Sequence, residues 1–538
     1  MTDPAQPSTS PDNLSPNPPA AVGSVSLIGA GPGDPGLLTV LGQHRLQHAT
    51  AVVFDALANP VLMDLAPASA ERIDVGKRAK LHKVKQPDTN QLLVDLAKQG
   101  HRVVRLKGGD PYLYGRGAEE AAFCARSGVP CEVIPGVTAG IAAPAYAGIP
   151  VTHRHLASTL TFVTGHEDPT KDQTAIDYPA LAALIGAGGT ACFYMGVTRL
   201  QAICDTLVSH GLPDSTPAAI VQWGTLPKQR HATGTLATLP GITEAAGIKA
   251  PAIIVVGPVC AIDEPGLDFF FNPESKPLFG KRVLITRTRQ QASTLRDALA
   301  DLGAEVLEAP TIDTHPPDSY DDLDHQLLSL DQTDWLVITS ANAVDVLADR
   351  LDALNLDARA LAGTRFAAVG PSTAEALHRR LAIRPDFIPD RPNAAALAAE
   401  LADHTDLAGL RMLLLRADIA ADAIVEALTD AGARVSAVTA YHTRPVAQLP
   451  ETVVTAFDEG SIDAVTFTSS STARNLHALL GDAAAERLAK PVLISIGPIT
   501  SQTLAELGTP ADAEAEQPSP EALARGLAER FRAAPAAG

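Results

Sequence analysis

From Ser24 onward, short apolar runs alternate with breaks rich in glycine and proline. "SVSLIGAGPGDPGLLTV" (24–40) reads as a buried strand, a glycine-proline turn and a helix start. "ATAVVFDAL", "ERIDVGKR", "HRVVRLKGGD" and "VPCEVIPG" each read as a short strand running into a loop. "TNQLLVDLAKQG" and "GAEEAAFCARSG" carry helical periodicity between them. Such alternation predicts an α/β fold with a largely parallel sheet. The pattern changes after Gly136, continues through "TLTFVTGHED", "GGTACFYMGV" and "TPAAIVQWGT", and closes at "KAPAIIVVGPV". A Pro- and Gly-rich stretch without periodicity follows, and it predicts a linker over 262–276.

The second half repeats itself. "DALADLGAEV" (297–306) matches "EALTDAGARV" (426–435) at an offset of 129 residues. "LITR" at 284 and "LLLR" at 413 keep that offset, as do "VITSANAVDVL" at 337 and "TFTSSSTARNL" at 466. "AVGPSTAEAL" and "SIGPITSQTL" lie 127 apart. One long period of this kind indicates two copies of an α/β unit, hence a two-lobed module over 277–538.

Composition narrows the function classes. The 538 residues suffice for several domains with real cores. A net charge of −19 argues against a nucleic-acid partner, although a local basic patch can still bind an acidic ligand. The five cysteines lie in the first half without CxxC spacing, so they read as isolated thiols and not as disulfides or a zinc site. No metal cluster is expected. Residues 1–23 contain no Lys or Arg and no apolar run, which predicts a disordered tail and not a secretory signal. With no apolar run of membrane-spanning length, a soluble cytoplasmic protein is expected.

"GAGPGD" (29–34) invites comparison with the GxGxxG dinucleotide fingerprint, but Asp34 stands where the third glycine is required. "VVRLKGGDPYLYGRGAEE" (103–120) is more informative. Gly108 and Gly109 end a predicted strand, where open α/β sheets bind ligands, and they leave the backbone open to approach. Asp110 can accept hydrogen bonds there, and Arg116 can pair with a carboxylate. A solvated glycine-rich loop fits the same residues. Upstream, "VGKRAKLHKVK" gathers Lys77, Arg78, Lys80, Lys83 and Lys85, either as a solvated face or as a patch for a polyanionic small molecule.

Residues 24–261 resemble the uroporphyrinogen-III C-methyltransferases of the tetrapyrrole methylase family. The resemblance rests on "GAGPGDPGLLT", "VVFDALANP", "VGKRAKLHKVKQPDTNQLLV", "VVRLKGGDPYLYGRGAEE", "VIPGVTAG", "AYAGIPVTHR", "TFVTGHE", "FYMGV" and "PAIIVVG". It implies a two-domain methylase fold that binds S-adenosylmethionine through Pro32, Gly108, Gly109, Asp110, Leu113, Thr138, Ala139, Met195 and Gly224. It also implies Asp55 as proton acceptor and Lys77 as proton donor, with Arg116 and Arg154 meeting a tetrapyrrole's carboxylates. A homodimer through this half is a further implication. The dehydrogenase/chelatase domain found in siroheme synthases has no counterpart in the sequence, so no siroheme end-product is implied.

The second half offers no nucleophile–base pair and no phosphate loop. Its strand-end hydroxyls in "TSANAV" and "TSSSTA" fit helix N-caps, or contacts in a cleft between two lobes. "PLFGKRVLITR", "DWLVITSANAV", "AVGPSTAEAL", "AYHTRP", "VTFTSSSTARNL" and "SIGPITSQTL" resemble uroporphyrinogen-III synthase. That resemblance implies two α/β lobes, one of about 277–312 plus 445–535 and the other of about 316–438. A two-stranded tether would lie near 309–315 and 438–445. It further implies cofactor-free cyclisation of hydroxymethylbilane, with Tyr441 as a candidate acid and Ser340, Gly370, Thr468, Ser469 and Gly497 as substrate contacts. Together the halves imply a bifunctional enzyme making precorrin-2. The competing readings are a methyltransferase joined to a non-catalytic ligand-binding module, or a methylase acting on a later cobalamin intermediate.

Overall fold

The first strands form where the apolar runs predict them, and both faces of their sheet are covered. The protein is seen here as a computed structural model that describes residues 22–67, 69–76, 85–166, 174–267, 269–286, 289–391, 393–419 and 422–533. The chain divides into two units after Gly280.

The first unit contains two five-stranded sheets. One has the order Glu71–Asp74, Ala51–Phe54, Arg102–Lys107, Ser24–Gly29, Cys131–Ile134, and every pair in it is parallel. Val25, Leu27, Val53 and Val103 pack on one face with Leu93, Val94 and Ala97 of helix Gln86–Lys98. Ile28, Val52, Val104 and Leu106 pack on the other with Leu46 and Leu62. Burial on both faces is why the central strands are mostly apolar instead of alternating apolar with polar.

The second sheet has the order Leu160–Thr164, Thr190–Tyr194, Ala252–Val256, Pro217–Gln222, Arg230–Thr235. Only its first pair is parallel, unlike the all-parallel first sheet. Ala252–Val256 inserts between earlier strands and runs antiparallel to both. Arg230–Thr235, "RHATGT", is a polar edge strand with no apolar signal to announce it.

The stretch expected as a linker is anchored to the first unit. Phe269 and Phe270 pack on Tyr146 with ring centroids 5.4 and 4.7 Å away, Phe271 lies 4.8 Å from His231, and Phe279 closes the cluster. Three consecutive aromatics carry large apolar area without any periodicity, so pattern alone does not place them.

The second unit also has two five-stranded sheets. One runs Glu305–Glu308, Arg282–Ile285, Ala464–Phe467, Val492–Ser495, Ala513–Glu514, all parallel. The other runs Ile312–His315, Arg434–Pro445, Arg411–Ala417, Trp335–Ile338, Arg365–Ala368. Within the long strand, residues 434–441 pair in parallel with 411–417, and residues 442–445 then pair antiparallel with Ile312–His315. The sequence repeat and the sheets do not coincide. Each sheet takes the first two strands of one copy and the last three of the other.

Candidate active sites of the two units

In the first unit, strands Ser24–Gly29, Arg102–Lys107 and Cys131–Ile134 end side by side, and the chain leaves each through glycine. The Gly109 amide donates to the Gly31 carbonyl at 2.7 Å, joining two of these exits. A Cβ on Gly136 would fall 2.3 Å from the Gly109 oxygen, so only glycine permits the approach. Gly109 itself has φ +69°, and the nearest atoms on its open side are the Ala139 nitrogen at 3.9 Å and the Thr138 Cα at 4.0 Å.

Asp110 organises this loop. One carboxylate oxygen accepts from the Tyr112 and Leu113 amides at 2.8 and 3.1 Å, and the other from the Gly136 amide at 3.0 Å. Thr138 precedes helix Ala139–Tyr146, and its hydroxyl lies 2.5 Å from the Tyr194 hydroxyl, which also accepts from the Gly140 amide. Met195 follows with φ +55° and is half exposed. Gly224 is backed onto Ala143 of that same helix. Half-buried Pro32 belongs to a loop clamped on three sides. The Tyr146 hydroxyl donates to Asp34 at 2.8 Å, the Asp34 amide donates to Thr225 Oγ1 at 2.9 Å, and Asn59 Nδ2 donates to the Gly33 carbonyl at 2.7 Å. Burial and the Asp34 carboxylate both push the Tyr146 hydroxyl above the ordinary tyrosine range.

Thus Pro32, Gly108, Gly109, Asp110, Leu113, Thr138, Ala139, Met195 and Gly224 sit on or next to loops joined by these hydrogen bonds and close contacts. Tyr114, Arg116, Met195, Trp223 and Thr225, in the same loops, have positive φ without being glycine. That conformation is uncommon and concentrates where surrounding structure over-determines it, often at functional sites.

Beneath the loop lies a charged network of which sequence reasoning nominated only Asp55. Asp55, at the end of Ala51–Phe54, is 3.4 Å from Arg105 and accepts from the Leu57 amide at 3.1 Å. Arg105 and Lys107 reach one oxygen of fully buried Glu120 at 3.4 and 3.1 Å, and Gln86 donates to that oxygen at 2.9 Å. The other Glu120 oxygen has no hydrogen-bond partner among the described residues. Burial, and then Arg105, hold Lys107 below the ordinary lysine range, with Glu120 opposing. The signal was present in "VVRLKGG": two cations at alternate positions of a strand buried on both faces need an inward-facing anion.

The substrate-facing cations fare differently. Arg116 is bidentate with Glu119 at 2.7 and 2.9 Å on its own helix turn, so its guanidinium already holds one carboxylate. Arg154 is exposed. Lys77, Arg78, Lys80 and Lys83 lie outside the described residues, so of the expected basic patch only Lys85 is seen.

In the second unit Ser340, Gly370, Ser469 and Gly497 each occupy the N-cap of a helix that follows a sheet strand. The Ser340 hydroxyl accepts from the Ala343 amide at 3.2 Å, and that of Ser469 from Thr472 at 3.3 Å, so both hydroxyls serve as caps. Thr468 is buried beside Ser469. The four N-termini lie at the carboxyl ends of their sheets, two per sheet, where unpaired amides and the helix dipole favour anionic groups. Tyr441 is 9% exposed, packs in the core around Leu336 and Ile338, and places its hydroxyl 3.0 Å from Ser340. Next to it, His442 Nδ1 lies 2.9 Å from Asp418, which also accepts from the Thr443 amide at 2.8 Å and pairs with Arg444. Burial works to raise the Asp418 carboxyl, but the bonds from Arg444, Thr443 and His442 outweigh it and hold the group well below the usual carboxylate range. His442 and Asp418 were not singled out from sequence, since 24 residues separate them and neither lies in a recognisable pair.

Among the described residues no group of three or more His, Cys, Asp or Glu is arranged to hold a metal ion. No helix among them is long and apolar enough to cross a membrane.

Residues 24–240 match the family model of tetrapyrrole (corrin/porphyrin) methylases, and residues 293–525 match that of uroporphyrinogen-III synthase HemD. A porphyrin biosynthesis protein HemD of Ruminiclostridium josui is 38% identical over 466 residues, covering 87% of this chain and 90% of that one. An S-adenosyl-L-methionine-dependent uroporphyrinogen III methyltransferase of Methanosarcina barkeri is 46% identical over 253 residues, 46% of this chain and 98% of its own. The solved structure of a Thermus thermophilus uroporphyrin-III C-methyltransferase, complexed with S-adenosylhomocysteine, is 36% identical with a TM-score of 0.37, covering 44% of this chain and 98% of that one.

Proposed function

The chain belongs to the tetrapyrrole methylase family in its first half and the uroporphyrinogen-III synthase family in its second, and we propose that it carries out two consecutive reactions. The second unit cyclises hydroxymethylbilane to uroporphyrinogen III, and the first unit methylates that product twice to precorrin-2. The observation that carries the methyltransferase assignment is the backbone cradle at Gly109. Its open side borders the Thr138–Ala139 backbone, so a ligand can lie where any Cβ would intrude.

S-adenosylmethionine bound there supplies an electrophilic methyl group. The cradle fits it: Gly109 is hydrogen-bonded to Gly31 next to Pro32, its open side borders Thr138 and Ala139, and Asp110 keeps the Gly136 exit in register. The protein's principal task is alignment, because a pyrrole carbon must approach the methyl in line. Asp55, held at its strand end by Arg105 and the Leu57 amide, takes up the proton lost from the methylated ring. Lys77 is the proposed proton donor on sequence grounds. Arg116 and Arg154 receive substrate carboxylates, Arg116 by sharing or releasing Glu119.

In the second unit, Ser340, Gly370, Thr468, Ser469 and Gly497 present helix N-termini to the substrate's acetate and propionate groups. Tyr441 sets its hydroxyl against Ser340 at one of these N-termini. Departure of hydroxide from the linear tetrapyrrole leaves a delocalised cation, and the ring closes with the last pyrrole inverted.

The test supplies the full chain with hydroxymethylbilane and S-adenosylmethionine and identifies the oxidised products by mass and isomer. A dimethylated type III product is expected. Unmethylated type I, the spontaneous product, overturns the synthase assignment. Authentic type III substrate left unmethylated overturns the methyltransferase assignment.

A further inference from the structure

The tether face beside Tyr441 carries its own acid–base pair. In strand Arg434–Pro445, side chains alternate, so Tyr441 and Thr443 share one face while His442 and Arg444 share the other. Tyr441 turns into the core and meets Ser340, which leaves its hydroxyl engaged. His442 turns the other way, about a quarter exposed, with Nδ1 on Asp418. Asp418 immediately follows Arg411–Ala417, and its amide donates to the Tyr441 carbonyl at 3.1 Å. The pair is therefore fixed at the carboxyl end of a parallel sheet, where such sheets bind ligands.

We propose that His442, oriented by Asp418, is the general acid that protonates the departing hydroxyl in the cyclisation reaction. The inference rests on the synthase reading of this unit. Asp418 fixes the ring by accepting from Nδ1–H, which directs Nε2 outward. In the imidazolium form, Nε2–H gives its proton to the hydroxyl oxygen, the C–O bond breaks with its electron pair on oxygen, and water leaves. The carbon cation delocalises into its pyrrole, the ring closes through a new C–C bond, and the proton lost on rearomatisation restores the imidazolium. Net, one water is lost and nothing is oxidised or reduced.

The charged surroundings suit this role. Asp418 faces the ring from the neighbouring strand end and Arg444 from the same strand, while His315 and Asp313 sit directly opposite His442 and Arg444 across the antiparallel tether. Arg416, beyond Asp418, is engaged with Asp422 at 2.8 Å. Asp418 is held ionised by its three donors and so remains an acceptor for the Nδ1 proton of His442.

The experiment measures type III formation by the full chain from hydroxymethylbilane alone, across pH, for the wild type, His442→Gln and Asp418→Asn. The wild-type rate is expected to fall as pH rises, because the acid must carry its proton. His442→Gln should lose that limb and drop about 10²-fold or more. Asp418→Asn should lower the rate, and adding His442→Gln to it should cost little more, a coupling that a purely structural role would not produce. Methylation of authentic uroporphyrinogen III by the same proteins checks that the chain is intact. A His442→Gln variant keeping both rate and limb overturns the proposal while leaving the synthase reading standing. A wild type that yields only type I product overturns that reading, and this inference with it.

Discussion

Replacing Glu120 by glutamine tests the buried network most directly. The side chain is fully buried, and Lys107, Arg105 and Gln86 converge on one of its oxygens at 3.1, 3.4 and 2.9 Å. At an effective dielectric near 20, the two cation contacts are each about 5 kcal/mol before desolvation is counted. Most of that is offset by the cost of holding a carboxylate out of water. Breaking such a pair, however, strands the cations, which costs about 3–5 kcal/mol. The glutamine amide would also point an N–H₂ at the position where Glu120 has no partner. For a unit of this size the fall in Tm is roughly 6–20 °C. Scanning calorimetry of the full chain reads it from the transition that S-adenosylhomocysteine raises. Lys107→Met in the same background should recover part of the loss by removing a stranded charge. The pH dependence has a definite sign. Lys107 is already held below the ordinary lysine value, so the unfolded state binds more protons above its folded pKa. Stability therefore rises with pH in that window. Glu120→Gln should narrow its deficit on the alkaline side. A Tm within a degree of wild type, or a double variant weaker than the single one, refutes the reasoning.

Three further outcomes are expected. Gly109→Ala and Gly128→Ala share a positive φ, +69° and +73°, and should each cost about 1–2 kcal/mol of stability; calorimetric titration should show S-adenosylhomocysteine binding lost only at position 109. Tyr146→Phe removes the donor to Asp34 and should lower the first unit's stability by about 1.5–3 kcal/mol, with weaker S-adenosylhomocysteine binding in the same titration. Asp418 has its carboxyl pKa depressed in the fold, so its contribution is present above the ordinary carboxylate value and is lost as pH falls below about 4; acid titration followed by circular dichroism should show the second unit of Asp418→Asn less acid-sensitive than wild type.

The strands that were easiest to read are those buried on both faces, such as Ser24–Gly29, where only Ser26 breaks the apolar run, and Trp335–Ile338, where nothing does. Arg230–Thr235 was illegible for the opposite reason: an edge strand gains its bonds from a neighbour and needs no apolar signature. The glycine loop was legible because backbone freedom is written in residue identity. What Asp110 does there was not, since its partner Gly136 lies 26 residues away. The Phe269–Phe271 anchor and the Asp418–His442 pair share that property, being contacts between segments whose local sequences are silent about each other.

The second unit separates the two kinds of information most cleanly. By itself the sequence determined that strands beginning at Arg282, Glu305 and Trp335 recur 129 residues on, at Arg411, Arg434 and Ala464, because local patterning and propensity recur with them. Only the tertiary structure decided that the copies exchange halves. Arg282–Ile285 pairs with Ala464–Phe467 of the other copy, and Trp335–Ile338 with Arg411–Ala417. Identical patterns can pair within a copy or between copies with the same local hydrogen bonds. The choice is made where Ile312–His315 meets the end of Arg434–Pro445, and the chain passes from one sheet to the other.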